Sequence, residues 1–141
     1  MNRIITLLNE KNHYLEKFYA LNEVELANFA QGQFDNIEYF YQTRERILDV
    51  LKYVDAQIEK AHDGAQQMGG ITESQRNEVK EALAIKDEYV ARIIEQDIQV
   101  LACIEMAKNS IIKELQEVRR SKKGVSGYKT KTFTNRLDEE V

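Results

Sequence analysis

The sequence contains no proline, no tryptophan, six glycines and one cysteine in 141 residues. A chain without proline and with so little glycine lacks the turn residues that a β-sandwich needs, and it reads as long helices. The single cysteine, Cys103, excludes an internal disulfide framework and suits a reducing compartment. Apolar runs reach about five residues, well short of the ~18 that a spanning helix requires, so no stable membrane insertion is expected. The first ten residues, Met1 to Glu10, lack the apolar core and cleavage site of a signal peptide. What the chain does have is 43% apolar and 31% charged residues, enough apolar material for one core and too much for wholesale disorder. These features predict an all-α, cytoplasmic protein.

The net charge of -4 is unevenly placed. Residues 1–118 sum to -8, residues 119–132 carry six cations and no anion, and the last nine residues sum to -2. The pattern is an acidic body, a basic hinge and a short acidic tip.

Three helical segments follow from the spacing of apolar residues. In the first, about 2–30, Ile4, Leu7, Leu8, Tyr14, Leu15, Phe18, Leu21 and Phe29 recur at three- and four-residue steps. Gly32 follows, where a left-handed cap favours glycine. Asp35 and Glu38 are spaced as a capping box for the second, about 35–62, with Ile37, Phe40, Tyr41, Ile47, Leu48, Leu51, Val54 and Ile58. Thr72 and Gln75 form the next capping box. The third, about 72–120, holds Val79, Leu83, Val90, Ile93, Ile94, Ile98, Leu101, Ile104, Ile111, Ile112, Leu115 and Val118. The short first link predicts antiparallel neighbours, giving an antiparallel bundle of three long helices over 1–120. Residues 121–141 are polar and read as a mobile tail.

The turns also set the axial register. Folding about Gly32 sets opposite one another residues whose numbers add to about 65, and folding about Gln67 those that add to about 134. The Gly32 turn then lies level with Leu101. The third helix continues past that level for about 20 residues, or ~30 Å. Ile104, Ile111, Ile112, Leu115 and Val118 keep one apolar face along this stretch. Burying each is worth about 1.5–3 kcal/mol, a gross ~10 kcal/mol, against ~4–15 kcal/mol for association with another chain. Three covers are open: a break near Lys108-Asn109-Ser110 that folds a short fourth helix back, a homodimer, or a different protein laying a helix on the face. Met106 beside the stripe suits an adaptable surface.

Chemistry-bearing patterns are sparse. Glu10 with His13 and Glu59 with His62 match the Glu-x-x-His element of dimetal bundles. The predicted register puts the two histidines about 15 Å apart, whereas a shared centre holds its ions ~3.5–4 Å apart. No metal or cofactor is therefore expected. Cys103 lies between Val100 and Ile104 with no triad partners, and no phosphate loop or dinucleotide motif occurs, so no enzyme is expected. The basic hinge with Tyr128 and Phe133 could face nucleic acid, but six cations are a small footprint and the -8 body repels a polyanion. No nucleic-acid partner is expected.

The turn Ala30-Gln31-Gly32-Gln33-Phe34-Asp35, the helix opening Ile37-Glu38-Tyr39-Phe40-Tyr41-Gln42-Thr43-Arg44-Glu45-Arg46-Ile47-Leu48, and a polar Gly124-to-Phe133 tail after a long last helix resemble the FlgN family, cytoplasmic chaperones of flagellar type III export. The resemblance implies binding of the C-terminal helical segments of hook-filament junction proteins, their protection from premature assembly, and their delivery to the export gate. It implies client contact at the end of the last helix, here Leu101, Ile104, Ile111, Ile112, Leu115 and Val118, and gate docking by a tail aromatic, here Tyr128. A self-associating coiled-coil protein and a chaperone for the filament-cap protein are the competing readings.

Overall fold

A computed structural model describes residues 1–67 and 70–125. They form three helices, α1 (Asn2–Ala30), α2 (Ile37–Gln67) and α3 (Glu73–Val125), with no strand among the described residues. The expected all-α bundle is thus present. α3 runs unbroken through Lys108-Asn109-Ser110, so no short fourth helix forms there. Two boundaries move. α2 passes through Gly64 to Gln67, five residues past the expected end, and α3 continues through 121–125, where the tail was expected to begin. Both extensions are polar, and one helical glycine costs only about 1 kcal/mol. The remaining tail, 126–141, lies outside the described residues.

Residues Met1–Leu101 form one compact unit and Ala102 begins a second. In the first unit, α1 ends on Gly32, whose φ of +73° is the left-handed conformation that glycine adopts without strain. The Gln33 amide donates to the Asn28 carbonyl at 2.9 Å and the Gly32 amide to that of Phe29 at 3.0 Å. These are the two bonds of a Schellman cap, and the stacked Phe29 and Phe34 rings, 4.9 Å apart, close it with an apolar contact. α2 starts two residues later than expected, which puts Asn36 rather than Asp35 at the cap position, its carbonyl accepting from the Phe40 amide at 2.8 Å. The capping box at α3 is formed as expected: the Gln75 amide donates to Thr72 Oγ1, and the Thr72 amide to Gln75 Oε1, both at 3.1 Å.

The core packs in two clusters. Leu15 and Phe18 of α1 meet Leu51 of α2 and Ile93 of α3. Ile4 and Leu8 meet Ala82 of α3, with Ile58 and Val79 against them. The α1–α2 register is the expected one: Lys11 should lie level with residue 54, and its ammonium pairs with Asp55 at 2.7 Å. The α3 register is shifted. Arg44 should lie level with residue 90, but its guanidinium pairs with Asp97 at 2.9 Å, seven positions further. The longer α2 moves the centre of the second turn from Gln67 toward residue 70, and doubling that offset accounts for most of the shift.

α3 also turns a different line of residues inward. Ala82, Ile93, Gln96 and Val100 are buried, while Leu83, Ile94, Ile98 and Leu101 are exposed. Gln96 sits in this otherwise apolar line because α1 presents polar groups opposite it. Gln96 Nε2 donates to the Tyr19 carbonyl at 3.1 Å and to Glu23 Oε1 at 2.8 Å. Gln96 Oε1 accepts from Asn22 Nδ2 at 3.1 Å, and Asn22 is fully buried.

Candidate docking face

The residues expected to bind a client divide between the two compact units. Leu101 closes the first unit and is 65% exposed. In the second, Ile104 is half-buried. Ile111, Ile112, Leu115 and Val118 are 58%, 41%, 44% and 50% exposed. Steps of seven, four and three residues set Ile104, Ile111, Leu115 and Val118 on one helical face, with Ile112 about 100° round from Ile111. Met106 is exposed as well, and Cys103 is half-buried. Tyr128 lies outside the described residues.

The helix continues here because nothing in its sequence stops it. Residues 102–123 contain no glycine or proline and many strong helix formers. A monomeric helix normally gains most of its stability by burying an apolar face. This one displays that face to water, and the chemistry available to it is apolar burial against another surface.

The first unit carries surface features of its own. Between α2 and α3, Leu48, Leu51, Val90, Ile93 and Ile94 line a cleft of about 140 Å³ with the Arg44–Asp97 pair at its edge. The Arg44 guanidinium also stacks 5.2 Å over the Phe18 ring, which fixes its direction. A more open cleft of about 550 Å³ lies between α1 and α2, beside Asn9, Glu10, His13, Tyr14 and Tyr53. It contains one of the two Glu-x-x-His pairs. Among the described residues, no group of three or more histidine, cysteine, aspartate or glutamate side chains could hold a metal ion. Nor, among them, is any helix long and apolar enough to cross a membrane.

Sequence reasoning missed the polar layer. Leu15, Phe18, Asn22, Glu25 and Phe29 follow the alternating three-four spacing of a packed seam, so Asn22 and Glu25 were readable as inward-facing from position alone. Glu25 is buried, and its Oε1 has no hydrogen-bond partner. Ile94 and Ile98, part of the apolar spacing that predicted the third helix, lie at the surface.

Comparison of the chain with known protein families, with characterised proteins and with solved structures gives no match.

Proposed function

We propose that this protein is a cytoplasmic chaperone of flagellar type III export that carries no catalytic activity. It binds the C-terminal helical segment of a hook-filament junction protein, holds it unassembled and delivers it to the export gate. The observation that carries this reading is the exposed apolar face of Ile111, Leu115 and Val118 in a helix that continues unbroken. A client helix laid on that face buries its own assembly surface and the chaperone's together. Exposed apolar surface of this kind marks an interaction site in a soluble chain. The likeness of residues 30–51 and of the Gly124-to-Phe133 tail to the FlgN family gives the client its identity. In this reading Tyr128 docks at the gate, and the basic hinge steers the tail toward an acidic surface.

The test is the paired substitution Ile111→Asp and Leu115→Asp. The purified C-terminal segment of a junction protein is titrated against the full chain, with circular dichroism as the fold control. Loss of at least about tenfold in affinity is expected, since each buried aliphatic contributes more than 1 kcal/mol. Undiminished binding with the helical signal intact removes the site. Deletion of 126–141 is expected to spare client binding and to reduce delivery; loss of both contradicts the division between face and tail.

A further inference from the structure

Each compact unit carries an apolar strip without a cover. In the first, the cleft between α2 and α3 has half-buried Val90 in its wall and leaves Ile94 and Leu101 exposed. In the second, Ile104 is half-buried and Ile111 and Leu115 are exposed. The two strips continue one repeat. Val90, Ile94, Asp97, Leu101, Ile104, Lys108, Ile111 and Leu115 succeed one another along α3 at alternating steps of four and three residues. That alternation keeps side chains against a single partner helix.

The repeat complements itself when reversed. In two antiparallel copies of α3 whose facing residue numbers add to 205, Val90 meets Leu115, Ile94 meets Ile111 and Leu101 meets Ile104. The two charges on the line, Asp97 and Lys108, meet each other. Every contact occurs twice. One layer further out Asp87 faces Val118 and the match ends; Asp87 already pairs with Lys86 at 2.6 Å. Other alignments fail. A slip of one heptad sets Asp97 against Leu101 or Leu115 and Lys108 against Val90 or Ile104. Parallel pairing in register sets Asp97 against Asp97 and Lys108 against Lys108. A charge covered by an aliphatic or by its own kind is costly, so one register stands out.

The geometry points to a second copy of this chain as the occupant: the 104–115 strip of each copy lies along the α2–α3 cleft of the other. Asp97 is prepared for this contact. Its Oδ2 accepts from Arg44 at 2.9 Å, whereas its Oδ1 has no hydrogen-bond partner. The lysine of the second copy supplies the missing donor. The units also differ in sign, since residues 1–101 sum to -7 and residues 102–123 to +3. Attraction between copies therefore runs from one unit to the other kind. The inference goes beyond the client reading and does not depend on it. Where a client exists, it must displace the second copy from Ile111 and Leu115, so the dimer is the closed form of the chaperone.

The full chain is followed by sedimentation equilibrium from about 1 to 500 µM, over which monomer is expected to give way to dimer. Ile94→Asp and Ile111→Lys change exposed positions, so the circular dichroism of each is expected to match the parent. Each alone is expected to weaken pairing at least about tenfold. In an equimolar mixture the introduced carboxylate meets the introduced ammonium at one contact and Ile94 keeps Ile111 at the other, and the dimer is expected to return. Lys108→Glu sets a carboxylate against Asp97 and is expected to cost about tenfold, less in about 0.5 M salt. A dimer that Ile94→Asp leaves intact, or a mixture that stays monomeric, overturns the proposed register. A monomer mass at every concentration overturns the pairing itself and leaves client titration of the same strip unaffected. Monomers captured by phosphatidylglycerol vesicles, with capture abolished by Ile111→Asp, overturn it in favour of a lipid surface.

Discussion

Gly32 shows what one residue decides. A Cβ added there meets no atom within 4 Å, so space is not the constraint; the φ of +73° is. Gly32→Ala is expected to cost about 1 kcal/mol, read as a lowered thermal midpoint, and Gly32→Asn less, because asparagine tolerates the left-handed region better. Glu25 illustrates the opposite case. Its buried Oε1 has given up water and found no donor. Glu25→Met is expected to raise stability by about 1 kcal/mol in urea unfolding. A fall would mean that the carboxylate serves the bundle through its other oxygen. Gln96 satisfies three groups on α1, and Gln96→Leu leaves the Asn22 amide without an acceptor. That substitution is expected to cost about 1–3 kcal/mol.

At the scale of helices, much was legible because local rules and tertiary packing agree. The caps at Gly32 and Thr72 were readable from residue type and spacing, and the structure forms both. The α1–α2 register followed from one short turn and held to within a residue at Lys11–Asp55. The α3 register did not, because it depended on where α2 ends, and Gly64 with its polar neighbours does not end it. Apolar spacing marked α3 as a helix but did not say which line of it faces inward. Ile94 and Ile98 outrank Ala82 and Gln96 in hydrophobicity, but the inward line is set by what α1 presents, the Tyr19 carbonyl, Asn22 and Glu23. Thr72→Ala tests the local contribution: it breaks the capping box, and a loss of about 1 kcal/mol is expected, with first-turn amides of α3 exchanging faster.

At the scale of the whole molecule, the two compact units are expected to differ in how firmly their backbone is held. Amides near Ile93 and Val100 sit beside buried side chains, whereas those from 108 to 118 belong to exposed residues. Hydrogen exchange is expected to be faster over 108–118 than over 93–100, and to slow there when a client helix binds. Uniform protection along α3 in the free protein would mean that its far half is covered in solution. The candidate face was legible because five large aliphatics recur where the sequence supplies no other helix to meet them.

The Asn22–Gln96 contact has a consequence for how many ways this chain can assemble. Long apolar ridges slide past one another in steps of a heptad, about 10 Å, at little cost. One step toward its amino end, α3 offers Tyr89 in place of Gln96, and a phenol cannot both accept from the Asn22 amide and donate to the Tyr19 carbonyl and Glu23 as the glutamine does. The amide pair therefore behaves as an alignment key. Filing it away with Asn22→Leu and Gln96→Leu together should leave stability about unchanged or higher, yet produce doubled amide resonances in α1 from a slipped population.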